Sequence, residues 1–214
     1  MVKRNYQKEM EEVIKKEERE GHVPTLLLHS CCAPCSSAVL EKLTYYFRIT
    51  ILYYNPNISP KEEYEKRVKE LKHLLAEIPQ KYPVALIEGE YEPEQFYDAV
   101  RGLEDIPEGG ERCFACYRLR LEEAAAYAAE LGSDYFTTTL TISPLKNTVK
   151  LNEIGEELAE KYGVSCLPSD FKKKDGYKRS IELSAEYGLY RQDFCGCVFS
   201  KKEAEERRKR KENG

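Results

Sequence analysis

Seven of the eight cysteines fall in three short stretches. The first is His29-Ser30-Cys31-Cys32-Ala33-Pro34-Cys35, the second Cys113-Phe114-Ala115-Cys116, and the third Cys195-Gly196-Cys197; Cys166 stands alone. Grouped thiols bind metal or exchange disulfides once they are deprotonated. A structural zinc site is filled by two pairs of ligands, and seven thiols in three groups are too many for one such site. Cys32-x-x-Cys35 and Cys113-x-x-Cys116 both have the spacing of a redox pair, but that reading leaves the adjoining thiols without a use. A [4Fe–4S] centre takes four thiolates, so a cluster with a second metal beside it accounts for the number better. Cys166 reads as core, and within the first stretch Cys35 is the thiol expected to serve as a small buried hydrophobe.

These groups need a scaffold that brings distant stretches to one place. Thr25-Leu26-Leu27-Leu28 reads as a buried strand, the CCAPC segment as a turn, and Ser36–Leu43 as a helix. Strand, turn, helix puts a ligand-binding loop at the carboxyl edge of a parallel sheet, where the helix dipole favours thiolates. Further strands are expected at Arg48–Tyr54, Val84–Ile87, Asp134–Thr139 and Val164–Leu167. Amphipathic helices lie between them, one stripe being Tyr64, Val68, Leu71, Leu75 and Ile78, with Ser59 and Glu62 spaced as a capping box. Cys113 and Cys116 open a long helix, and residues three apart there share a face. Gly196 leaves room for the sulfurs on either side of it to turn toward one centre. Alternating strands and helices predict an α/β, Rossmann-like parallel sheet flanked by helices.

The chain has 214 residues, 41% hydrophobic and 34% charged, with a net charge of −4. That is enough chain for one good core, so residues 1–200 read as a single α/β domain and 201–214 as a basic tail. Residues 1–20 read as an amphipathic helix on its flank. The near-neutral balance excludes a general polycation, so contact with nucleic acid must come from local patches such as 171–179 and the tail. No apolar run is long enough to span a bilayer, and the charged N-terminus is unlike a signal peptide. A cytoplasmic, disulfide-free protein is expected, in which clustered cysteines hold metal.

Four stretches, taken together and in order, resemble the cobalamin-independent epoxyqueuosine reductase family, QueH. They are His29–Cys35, Glu111–Tyr117, Thr138–Asn147 and Tyr190–Cys197, and the resemblance extends over residues 24–200. It implies a fold related to the nucleotide α-hydrolase (HUP-type) proteins, carrying a [4Fe–4S] cluster with a further iron beside it. The reaction implied is the deoxygenation of epoxyqueuosine to queuosine at the wobble position of tRNA, consuming two electrons and two protons and releasing water. The partners implied are tRNA carrying epoxyqueuosine and an electron donor. Related enzymes that use ATP need a Ser-Gly-Gly-x-Asp-Ser-like phosphate loop, and Ser30-Cys31-Cys32-Ala33-Pro34-Cys35 stands in its place.

On this basis Cys32, Cys113 and Cys116 are expected to hold the cluster, and Cys31, Cys195 and Cys197 the second iron. Asp193, Tyr117, Tyr190 and His29, near these cysteines in sequence, are the expected proton donors, with water as the equal alternative and His29 also suited to orienting a ligand. Arg112, Arg118, Arg191, Lys146 and Asn147 are expected to contact substrate or its phosphates, and Tyr117, Tyr190 and Phe114 to stack on its base. The reading from a different class is a non-catalytic iron–sulfur or zinc-stapled RNA-binding protein.

Overall fold

A computed structural model describes residues 4–212, so residues 1–3 and 213–214 of the expected N-terminal helix and tail lie outside the described part. Five strands form one sheet: β1 (Thr25–His29), β2 (Arg48–Tyr53), β3 (Ala85–Glu88), β4 (Tyr135–Thr138) and β5 (Ser165–Cys166). Their order is β3-β2-β1-β4-β5, and every pairing is parallel. Parallel neighbours require crossovers, and helices supply them. These are α2 (Ala33–Leu43) after β1, α3 (Lys61–Glu77) after β2, α4 (Pro93–Ala99) and α5 (Glu111–Glu130) after β3, and α6 (Thr148–Tyr162) after β4. Before β1 lies α1 (Tyr6–Arg19); after β5 come α7 (Gly176–Glu186) and α8 (Val198–Glu212). The fold is therefore α/β and Rossmann-like, as expected.

Side chains alternate across the sheet and are buried on both faces, which is why the central strands read as unbroken apolar runs. Leu26, Leu28, Ile49 and Ile51 pack with Met10, Val39, Leu43, Val68 and Leu71 of α1, α2 and α3. Leu27, Leu52 and Phe136 point the other way, onto Ala124, Ala128, Ile154 and Leu158 of α5 and α6. Each such leucine contributes about 1.5–3 kcal/mol by leaving water. Cys166 lies against this second core, its Sγ close over Gly155 of α6, in agreement with its reading as core.

The chain extends outward from β1 to β3 on one side and then returns to place β4 on the other. The resulting switch point, between the carboxyl ends of β1 and β4, is where sheets of this kind open a crevice. Two local expectations are corrected here. The helix after β1 begins at Ala33, not Ser36, so Cys35 lies in its first turn. Ser59 and Glu62 form no capping box: α3 starts at Lys61 with no side-chain cap, and the Ser59 N–H donates instead to the Gly196 carbonyl, 3.0 Å away.

Candidate metal centre

The three cysteine stretches converge on the switch point, and each meets it at a helix start. Cys32 is the N-cap of α2, Cys113 and Cys116 lie in the first two turns of α5, and Cys197 immediately precedes α8. Three helix N-termini thus aim their positive ends at the sulfurs, which favours thiolates. All eight cysteines are free thiols.

The sulfurs of Cys31, Cys32 and Cys35 lie within 4.8 Å of one another, a group able to hold a metal ion. Cys35, expected to be filler, joins it because its place in the first turn points it back over the N-cap, the geometry a capping box exploits. It packs on the core with one side and meets the other two thiols with the other. Hydrogen bonds from Cys31 and Cys35, aided by the Arg67 charge, hold the Cys32 thiol well below its usual range. Thr139, just after β4, fixes Cys31: its Oγ1 accepts the Cys31 N–H at 3.2 Å and lies 3.4 Å from the sulfur.

Cys113, Cys116, Cys195 and Cys197 line a second, narrower space, with about 10 Å³ left free between the side chains. The Gly109 N–H points at Cys113 Sγ (3.2 Å) and the Ser200 N–H at Cys197 Sγ (3.4 Å). Phe96 of α4 and Phe199 of α8 pack against Cys116 and Cys197. Burial pushes the Cys116 thiol up to about 12, and raises Cys113 and Cys197 as well. The structure therefore groups the thiols otherwise than the expected partition did: Cys31 and Cys32 sit together with Cys35, and Cys195 and Cys197 sit with Cys113 and Cys116.

Between and around the two groups opens a cavity of about 280 Å³, lined by Cys31, Cys32, Cys35, Arg67, Lys146 and the segment Arg191–Cys195. Cys195, Lys146 and Glu108 border both spaces. Burial, the largest effect on Lys146, acts to remove its proton, but the Glu108 carboxylate, 3.2 Å away, is among the groups that raise its pKa well above the usual range.

The other expected site residues are placed as follows. Asp193 lines the cavity, but Arg208 of α8 grips its carboxylate through Nε at 2.8 Å and holds it below the usual range, so it remains ionised. Tyr117 is buried beside Cys113 and Cys116 at the second space; its hydroxyl has no partner among the described residues, and burial keeps it protonated. Tyr190 lies away from both spaces, with Lys66 over its ring at 3.2 Å. His29 is fully buried: Nδ1 lies 2.8 Å from Thr138 Oγ1 and Arg120 Nε 3.3 Å from Nε2. Burial lowers its pKa to about 3, so it is a neutral brace between β1 and β4.

Arg191 lines the cavity and is anchored to the Ser180 carbonyl and Ser184. Arg112 instead clamps α5 to α8 through Glu203 (2.8 Å) and the Glu104 carbonyl, and Arg118 pairs with Glu157 on the surface. Asn147 caps α6, accepting the Lys150 N–H. Phe114 packs beside Tyr117, so Tyr177 and Phe194, and not Phe114, Tyr117 or Tyr190, are the aromatic rings at the cavity. Within the basic stretch 171–179, Lys174 and Arg179 are paired with Glu11 and Glu41.

Two buried arginines escaped the sequence reading. Arg67 of α3 is 2% exposed, bound to Glu63 and to the Cys195 carbonyl (3.0 Å). Arg120 of α5 is 1% exposed, and its Nη1 has no partner. Both interrupt apolar stripes, at Tyr64-x-x-Arg67-Val68 and Cys116-x-x-x-Arg120-Leu121, and that interruption is the signal available in the sequence. Among the described residues no helix is long and apolar enough to cross a membrane.

Residues 26–203 match the family described as Epoxyqueuosine reductase QueH. Proteins of that name from Staphylococcus epidermidis and Streptococcus pyogenes serotype M1 are 48% and 45% identical over 200 residues. Those alignments cover 92% of this chain and 84% and 78% of the respective relatives. The Thermotoga maritima protein of that name is 39% identical over 189 residues, covering 86% of this chain and 93% of its own.

Proposed function

The chain belongs to the epoxyqueuosine reductase QueH family, and from that premise we propose that it removes the epoxide oxygen of epoxyqueuosine in tRNA. The observation that carries this reading is the meeting of seven free thiols, from three distant stretches, in two adjoining groups at one sheet edge. The donor set fits the implied metals. Four thiols lining one space, two of them facing backbone N–H groups, offer the ligand set of a [4Fe–4S] cluster, and three bordering the larger cavity suit a second iron with room for substrate. Cys113, Cys116, Cys195 and Cys197 would hold the first, and Cys31, Cys32 and Cys35 the second. When bound, these groups supply electrons and a Lewis acid for the departing oxygen.

The protein's own residues bind, orient and protonate. The cavity is at the small end for a ligand site, which suits the ring substituent of a modified base and not a whole nucleotide. Tyr177 and Arg191, with the guanidinium 5.9 Å from the ring centroid, offer planes on which a splayed-out loop base stacks. Asp193, kept as a carboxylate, accepts hydrogen bonds from ring hydroxyls. Lys146 stands where both spaces meet, and its Nζ carries the proton best placed for the oxygen as the C–O bonds break. Two electrons from an external donor and two protons balance the loss of one water. Tyr117, buried at the second space and outside the cavity lining, holds its proton beside the thiols and does not face the substrate.

The test is anaerobic purification with iron, sulfide and zinc quantification, followed by incubation with tRNA carrying epoxyqueuosine and a low-potential chemical reductant. Iron, sulfide and queuosine formation are expected. A zinc-loaded protein that binds tRNA without forming queuosine would replace this reading with that of a metal-stapled RNA-binding protein.

A further inference from the structure

Arg120 is a cation without an anion. It is almost completely buried, and no ion pair joins it to a carboxylate among the described residues. Its Nη2 donates to Asn55 Oδ1, its Nε points at the neutral ring of His29, the Cys116 thiol lies within hydrogen-bond reach, and Nη1 has no nitrogen or oxygen acceptor among the described residues. A buried, uncompensated charge costs several kcal/mol. A lysine in such a place could shed its proton, whereas a guanidinium cannot. The arrangement is therefore tolerable only if something nearby becomes strongly negative.

The charged groups acting on Arg120 are thiols from both cysteine groups, Cys116 and Cys195 of one and Cys31 of the other. Asn55 and His29, which hold the guanidinium in place, follow β2 and end β1, so the charge is fixed to the sheet and not to a mobile loop. Arg67, the other buried arginine, differs in having Glu63 as an intrinsic partner. Only Arg120 keeps its full charge for the metal centre.

Resting on the reductase reading above, we infer that Arg120 is the shared counter-charge of the two metal groups, setting how readily electrons enter them. Each electron taken up adds a negative charge in a low-dielectric space, and a fixed cation beside it favours the reduced form. Arg120 touches no substrate in this scheme; it is a positioning and charge-balancing residue.

The test is a redox titration, followed by visible and electron-paramagnetic-resonance spectra, of the iron-loaded wild type and of R120M and R120K. Removing the charge in R120M is expected to disfavour reduction at least tenfold, about 59 mV for a one-electron couple. R120K, which keeps the charge but not the fork, is expected to stay within that interval. R120M failing to retain iron while R120K retains it would equally support the charge. An unchanged potential in R120M, an equal shift in R120K, or iron loss in both would overturn the inference while leaving the reductase reading standing. A wild type that carries no redox-active iron would overturn both.

Discussion

Replacing Gly196 by alanine is expected to unseat the third cysteine stretch, and the structure gives the size of the effect. Gly196 lies between Cys195 and Cys197 at φ +123°, a backbone conformation that a Cβ makes costly. Strain of that kind costs about 1–3 kcal/mol. The added methyl would also lie 2.9 Å from Ile58 Cγ1 and 3.1 Å from Arg67 Nη1. Neither neighbour has room to retreat: Ile58 is buried, and Arg67 is held by Glu63 at 2.7 Å and by the Cys195 carbonyl at 3.0 Å. Overpacking adds about 1–3 kcal/mol. The sum, about 2–6 kcal/mol, is a large part of a total stability of about 5–15 kcal/mol. The cheapest relief is for the loop to move outward, breaking the Ser59 N–H bond to the Gly196 carbonyl and taking two thiols with it. G196A should therefore melt at least about 4 °C lower and retain less iron when purified anaerobically. G21A is the control, at φ +66° with open space around it; it should lose only about 1–2 kcal/mol and no iron. If G196A matches the wild type in melting temperature and iron content, the close packing of this loop is not what positions the sulfurs.

Other outcomes follow from the same geometry. G155A would bring a methyl to 2.5 Å from Cys166 Sγ and should cost about 1–3 kcal/mol in urea denaturation; the C166A change should recover most of that, and neither should alter metal content. K146M is expected to lower kcat by about 10²–10⁴-fold, whereas D193N should raise KM for the modified tRNA and largely spare kcat; the reverse pattern in steady-state assays would exchange their roles. His29 ordinarily titrates near 6.5, but burial lowers it to about 3 in the fold. Its neutral form thus stabilises fully above the unfolded value, and that contribution is lost as pH falls from 6.5 toward 3, at up to about 1.4 kcal/mol per pH unit. Urea denaturation across that range should show the slope in the wild type and a shallower one in H29Q.

Much of the fold is written in local patterns. Leu26-Leu27-Leu28 is apolar on both faces because a central parallel strand is covered on both sides, and the intervening stripes fix the helices that cover it. The order of strands and helices also foretold that the turn after β1 would be a binding edge. Local chemistry misled where a residue had a partner far along the chain. Ser59 has the sequence of a capping residue but gives its N–H to Gly196; Asp193 looks like an acid beside cysteines, until α8 brings Arg208 against it.

The amino-acid order alone determined the identity of the thiols, their arrangement in three sets, and the α/β scaffold, because residue type and periodicity are properties of short segments. Which sulfurs share a space was decided only by the crossovers, which bring α2, α5 and α8 to one edge with their N-termini converging. The same packing decided that Arg67 and Arg120 would be buried cations, since a charge in an apolar stripe shows its partner only when facing elements close on it. Spacing along a chain fixes what one element presents; the sheet order and the angles between helices fix what it meets.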